Sequence, residues 1–270
     1  MRTDIEALTD LAPGNGFDAI GEALTGLAAQ PINVEEAKAL LADAESLSPG
    51  LVKTIQSASI HSEMELELFH ARQMLDSSEQ STQHDNLFQD YQYDWFTGRA
   101  NLEASFIPAA ETGNEPVVCY IGASGIPFSA LAIQRRRKSR AIWFDPNEAT
   151  RTLACKIVSR LGIQTIAIHD ATLATIETVL SENPAAYISV LDAAMVTPKF
   201  LSVLKRCGAK NISFVTTHGL NELLYPAAPE TLISEVFEFT RGYYPERLSG
   251  MPAGWMPSAG LSFVSLALYK

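Results

Sequence analysis

Apolar positions along the chain keep two different rhythms, and the change falls near residue 113. Before it they recur at helical spacing, as in Ile5-Glu6-Ala7-Leu8 and Ala19-Ile20-Gly21-Glu22-Ala23-Leu24. Asn33 precedes a further helical run as an N-cap, with Glu36 three residues on as in a capping box. A longer helix is predicted from near Pro49 through Leu75, its core-facing stripe formed by Met64, Leu68 and Leu75. The polar stretch from Asp76 to Asp85 reads as a loop. Asn86 to Phe106 is rich in aromatics (Phe88, Tyr91, Tyr93, Trp95, Phe96), a composition more usual in core than in a ligand cage.

Past the polar linker Glu111-Thr112-Gly113-Asn114-Glu115-Pro116, short apolar runs alternate with helical stretches. Val117 to Ile121 has the unbroken apolar character of a strand buried on both faces. It breaks at Gly122-Ala123-Ser124-Gly125, and a helical pattern follows through Ile133. Further strands are predicted at Arg140 to Asp145, Thr165 to Asp170, Ala186 to Ala194 and Asn211 to His218. Between them lie helices at Asn147 to Leu161, stopped by Gly162, at Leu173 to Leu180 and at Pro198 to Cys207. Ser234 to Phe239 and the apolar Gly260 to Tyr269 finish the chain. Strand and helix in alternation imply an α/β fold with a doubly wound, mainly parallel sheet over 114–270, preceded by an all-helical domain over 1–113.

Such a sheet binds ligands beyond the carboxyl ends of its strands, where the strand order reverses. The turn of Gly122, Ala123, Ser124 and Gly125 offers close backbone approach and the free N–H groups of a helix N-terminus. Asp145 lies about twenty residues beyond that turn, where an acid accepts hydrogen bonds from ribose hydroxyls. Asp170, at the end of the next strand, is placed to face an adenine amine; alternatively each acid caps the helix that follows it. Convergence of the three positions favours a nucleoside. Pro146, Ala171 and Asp192, beside these strand ends, join the cofactor-binding candidates. The turn lacks Gly-Lys-Ser/Thr, which excludes a P-loop, and the strict dinucleotide fingerprint is also absent.

The net charge of −11 argues against nucleic acid as a partner. The one basic cluster, Arg135-Arg136-Arg137-Lys138-Ser139-Arg140, falls where a helix should end and complements its dipole. No segment has the pattern of a signal peptide and no apolar run is long enough to span a bilayer, so a cytoplasmic protein without a membrane partner is expected. Cys119, Cys155 and Cys207 lie in apolar contexts without ligand spacing; they are expected to be reduced and buried, and no metal site is expected. On the long front helix, Glu63, Glu67 and His70 fall on one face at i, i+4 and i+7. A solvated acidic face would carry the same pattern.

Two longer segments add a resemblance. Ile121-Gly122-Ala123-Ser124-Gly125-Ile126-Pro127-Phe128-Ser129 resembles the Gly-Ser-Gly-x-x-Pro-x-Ser/Thr turn of nicotianamine synthases. Val215-Thr216-Thr217-His218-Gly219-Leu220-Asn221-Glu222-Leu223-Leu224-Tyr225-Pro226 looks like that family's later His-Gly and Leu-Tyr-Pro segment. Within the group, His70-Ala71-Arg72-Gln73-Met74-Leu75-Asp76 looks most like the bacterial aminobutanoyltransferases of opine-metallophore synthesis, the staphylopine and pseudopaline type. The resemblance spans roughly residues 60–270. Ordinary methyltransferases carry an acid just before the first glycine of the turn, where this chain has Tyr120-Ile121, and the bulky Ile126-Pro127 is likewise unusual for them.

The resemblance implies a Rossmann-like sheet binding S-adenosylmethionine as co-substrate, with Pro127 among the binding residues. It implies transfer of the 2-aminobutanoyl group to the α-amine of an amino acid, histidine of either hand, releasing methylthioadenosine. Glu67 would then be the base that takes the amine's proton, with Glu63 in reserve. His218, Tyr225, Tyr91 and Tyr93 would orient the amino-acid groups, although core packing accounts for them equally well. A small-molecule N- or O-methyltransferase and a non-catalytic nucleoside-binding protein are the competing readings. A companion opine dehydrogenase consuming the product is expected, and the front helical domain is a candidate dimer surface.

Overall fold

The computed structural model describes residues 52–57, 103–107, 115–122, 138–217, 225–243 and 265–270. It also describes single positions at 39, 42, 46, 50, 60, 61, 68, 71, 72, 75, 131, 133 and 222. Every described position from 39 to 104 is helical except Gly50, in agreement with the helical front half. On the predicted long helix Ala71 is buried, and Leu68 and Leu75 are half-buried, as its apolar stripe requires. Met64, Glu63, Glu67 and His70 lie outside the described residues, as do Arg135, Arg136 and Arg137 of the basic cluster.

The apolar runs after residue 116 become β1 Val117–Ile121, β2 Arg140–Asp145, β3 Ile166–Asp170, β4 Tyr187–Val190 and β5 Asn211–Thr216. Helices α1 Glu148–Arg160, α2 Leu173–Glu182 and α3 Pro198–Arg206 separate the later strands, and a short α4 Glu230–Ser234 follows β5. Two more strands, β6 Phe239–Tyr243 and β7 Ser265–Tyr269, complete one sheet in the order β3-β2-β1-β4-β5-β7-β6. The first five are parallel, whereas β7 runs antiparallel to both β5 and β6. The sheet is thus mixed α/β and mainly parallel, with a closing antiparallel pair.

Local chemistry starts and stops these elements. Asn147 caps α1, its Oδ1 accepting from the Ala149 and Thr150 amides, and Gly162 ends the turn after it at φ +65°. Thr172 caps α2, and Thr197 caps α3 with Pro198 in its first turn. Neither Asp145 nor Asp170 is therefore an N-cap. The expected strand to Ala194 ends four residues early, because Asp192 Oδ1 accepts from the Ala194 amide at 2.8 Å and turns the chain into a 3₁₀ helix, Ala193–Met195. The strand expected to reach His218 ends at Thr216. Cys119 is buried as expected and Cys207 is half-buried, but Cys155 is exposed on the outer side of α1.

The two faces of the sheet pack differently. One carries Ile121, Phe144, Ile188, Val190 and Phe214 under Ile176, Leu180, Phe200 and Leu204 of α2 and α3. The other carries Tyr120, Trp143 and Tyr187 against Ile157 and Val158 of α1, together with Ala71 and Ile107 of the front half. Ser189 and Ser213, register partners on β4 and β5, interrupt that second face. Both hydroxyls donate to Oε1 of the fully buried Glu103, at 2.5 and 3.4 Å. Nearby, Arg241 stacks over the Phe106 ring at 4.3 Å. Burial, reinforced by the Glu103 charge, raises the Tyr187 phenol well above its ordinary pKa.

A buried carboxylate is tolerated only with such donors, and removing it strands them. Glu103→Ala is accordingly expected to lower unfolding free energy in urea by about 3 kcal/mol. Glu103→Gln, which keeps an acceptor oxygen for the serines, is expected to lose less than half of that.

Candidate nucleoside site at the strand ends

The strand order places β1 and β4 side by side, although the chain leaves β1 toward β2 and β3 and returns only at β4. That reversal opens a crevice between the two strand ends. Gly122 lies on one side of it and Asp192 on the other. The Gly122 amide donates to the Phe144 carbonyl at 3.0 Å, and the Leu191 amide donates to the Ile121 carbonyl at 2.8 Å. Gly122 has φ +80°, and a Cβ built on it would lie 2.5 Å from Cβ and 3.1 Å from the backbone N of Asp192. Both the conformation and the space demand glycine.

Three carboxylates gather at this edge. Asp145 and Asp170 are register partners at the ends of β2 and β3. Asp145 is 5 % exposed and accepts from the Asn147 amide at 2.6 Å. Burial pushes its pKa up to about 6; the Asn147 amide and Arg151 oppose that rise and Asp192 adds to it. Asp192, half-buried, is also raised by burial, against the pull of its bond from Ala194. Asp170 is exposed and lowered, first by the Thr175 hydroxyl and then by the Thr172 hydroxyl and amide. Ala171 is buried beside it, whereas Pro146 is exposed.

Arg151 was not singled out by its sequence. Its guanidinium donates to the Asp145 carbonyl at 2.8 Å and its charge is felt by both Asp145 and Asp170. A signal existed: a cation in the first turns of a helix opposes the dipole, and a charge placed there needs another reason. Glu103 was missed too, and its sign was a serine in the middle of each of two apolar strands.

Beyond β5, Thr217 Oγ1 donates to the Tyr225 carbonyl at 2.8 Å, and the Ala228 amide donates to Thr216 Oγ1 at 2.9 Å. Tyr225 is thereby held near the strand ends, half-buried. Ala123, Ser124, Gly125, Pro127, His218, Tyr91, Tyr93, Glu63 and Glu67 lie outside the described residues. Among the described residues no group of three or more His, Cys, Asp or Glu is arranged to hold a metal ion, and no helix is long and apolar enough to cross a membrane.

No protein-family model and no curated protein matches the chain. Solved structures do. A glutamate-to-glutamine mutant of MtNAS in complex with S-adenosylmethionine is 17 % identical with a TM-score of 0.77, covering 99 % of this chain and 97 % of that one. MtNAS in complex with MTA and tNA gives a TM-score of 0.75 at 17 % identity, covering 99 % and 94 %. The chain therefore shares the fold of MtNAS.

Two expectations follow from the site. Gly122→Ala is expected to lower stability by about 2 kcal/mol and to abolish measurable nucleoside binding by calorimetry, since it strains φ and drives β1 from Asp192. Asp145 binds its proton more tightly when folded than when unfolded, so its ionisation subtracts stability as pH rises from 3.8 to about 6. Asp145→Asn should thus stabilise the ligand-free protein at pH 8 by on the order of 2 kcal/mol, leave it nearly unchanged at pH 3.5, and weaken nucleoside binding at pH 8, where the carboxylate it replaces is ionised, far more than at pH 3.5.

Proposed function

We propose that this protein is a nicotianamine synthase-like transferase. It would move the 2-aminobutanoyl (3-amino-3-carboxypropyl) group of S-adenosylmethionine to the α-amine of an amino acid, with histidine the first candidate, for a nicotianamine-like metallophore. The observation that carries this reading is the chain-long likeness to MtNAS, crystallised with S-adenosylmethionine and with MTA and tNA. The residues at the crevice suit such a co-substrate. A Cβ-free bend leaves room for its backbone approach, a buried carboxylate at Asp145 offers acceptors to a diol, and the acidic edge favours a cation.

When bound, S-adenosylmethionine supplies a carbon next to a sulfonium, whose bond to sulfur breaks as the amine bonds to that carbon, leaving methylthioadenosine. The chain's part is positioning and proton handling. Gly122 and Asp192 set the crevice, Asp145 and Asp170 hold the nucleoside end, and Ser124, Gly125 and Pro127 complete the turn by sequence. Glu67, or Glu63 in its place, takes the proton that the acceptor amine must lose. His218, Tyr225, Tyr91 and Tyr93 orient the two amino-acid groups. We further place the enzyme in the cytoplasm, ahead of a dehydrogenase that joins the product to a keto acid, and as a homodimer through its front half.

Incubation with S-adenosylmethionine and a panel of L- and D-amino acids, read by mass spectrometry, tests the reading. Methylthioadenosine with an aminobutanoyl adduct of histidine is the expected outcome. S-adenosylhomocysteine would show methyl transfer instead and overturn it. Glu67→Gln should bind S-adenosylmethionine within a few-fold of wild type yet form product at least ~100-fold more slowly.

A further inference from the structure

One contact spans the front half and the carboxyl edge of the sheet. Gln56 Nε2 donates to the Glu222 carbonyl at 2.6 Å, in a part-buried setting. Gln56 belongs to the helical turn at 52–57, which begins where the Thr54 amide and hydroxyl both bond the Gly50 carbonyl at 3.0 Å. Its neighbour Ile55 is 3 % exposed, so the turn is set into the core and is not free to slide. Glu222 lies in the connection between β5 and α4. Thr216 and Thr217, both buried, close that connection at its base through Ala228 and Tyr225. Gln56 therefore holds the far side of a connection whose near side is held by two threonines.

Periodicity adds the second half of the argument. Gln56 lies in the first turns of the helix that the sequence predicts from near Pro49 through Leu75. On such a helix Glu63 and Glu67 follow it by seven and eleven residues, roughly 20° from its azimuth in either case. By that spacing both candidate bases share the face of Gln56 on the predicted helix. His218 and Tyr225, the candidates for orienting the acceptor, lie in the connection that Gln56 grips.

We infer that Gln56 is a positioning residue: its amide ties the helix bearing the base to the connection bearing the acceptor-binding residues, and so sets acceptor affinity while leaving the nucleoside end untouched. This rests on the transferase reading for its kinetic part alone. The tether itself is a claim about the fold.

Gln56→Met keeps the shape and removes the donor, whereas Gln56→Lys keeps a donor on a side chain of similar reach. Backbone hydrogen exchange of the unliganded full chain is the first measurement. Peptides covering 217–228 should exchange at least ~10-fold faster in Gln56→Met than in wild type, those covering 117–121 and 140–145 should be unchanged, and Gln56→Lys should recover most of the protection. The second measurement is kinetic. In Gln56→Met the KM for the amine acceptor should rise about tenfold, with S-adenosylmethionine affinity by calorimetry within twofold of wild type. Unchanged exchange in Gln56→Met, or Met and Lys variants that behave alike, would overturn the tether. Faster exchange with an unmoved acceptor KM would overturn its role toward the acceptor. A wild-type chain that forms no methylthioadenosine would defeat the transferase reading instead, and exchange would still decide the tether.

Discussion

Everything at the carboxyl edge of the sheet depends on how closely the end of β1 approaches the end of β4. Gly122 and Asp192 meet there at a distance that leaves no room for a β-carbon. The contact is a consequence of topology: the chain departs from β1 toward β2 and β3 and comes back at β4 on the other side of β1. A wider gap would let water or a side chain occupy the crevice. A narrower one would bury the amides that a ligand must reach. With glycine in the left-handed region, the chain bends just past the last pairing residue of β1.

Charge is arranged around that junction against the stability of the free protein. Asp145 and Asp192 are both raised by burial, and each ionises at the expense of folding free energy. The Asn147 amide and the Arg151 guanidinium recover part of that loss for Asp145, but Asp192 adds repulsion. Carboxylates raised in this way take up a proton or a hydrogen-bond donor more readily than a solvated acid does. Glu103, on the far side of the same sheet, shows the contrasting case. Two serines from paired strands close on one of its oxygens in the core, where nothing is left open to solvent. One carboxylate joins pieces of the fold; the other two wait at its edge.

The parallel strands were legible because burial on both faces leaves unbroken apolar runs, and Gly162 marked the end of the helix that follows β2, whose cap is Asn147 and not the Asp145 weighed for it. The end of β4 was misjudged because Leu191-Asp192-Ala193-Ala194 is still mostly apolar, and the turn is made by one aspartate bonding two residues ahead. The strand β6 was not resolved from its surroundings: Phe239-Thr240-Arg241-Gly242-Tyr243 is exposed over its first three residues and carries a glycine. Glu103, Arg151 and Gln56 were overlooked for a different reason. Their roles come from partners that the fold supplies, two of the three more than eighty residues away. The candidate nucleoside acids, by contrast, are set by their place at strand ends, which periodicity alone locates.

A sheet of this kind can hold a sulfonium ligand without deciding which of its carbons is attacked; on the proposed reading that choice falls to the front half. Here the predicted helix from Pro49 to Leu75 is gripped near both ends. Gln56 bonds Glu222 beyond β5, and the Leu75 carbonyl accepts from Arg160 at the end of α1, at 2.5 Å. Between the two grips, Ala71 is buried among residues of β1 and β2. The grips are nineteen positions apart in sequence, about 28 Å at the rise of the predicted helix. A rod held at two distant points and pressed at a third has little freedom to rotate about its axis. On the proposed transferase reading, a base carried there would meet an amine from one direction, the condition for discriminating between carbons of one sulfonium that differ by a few ångströms in position.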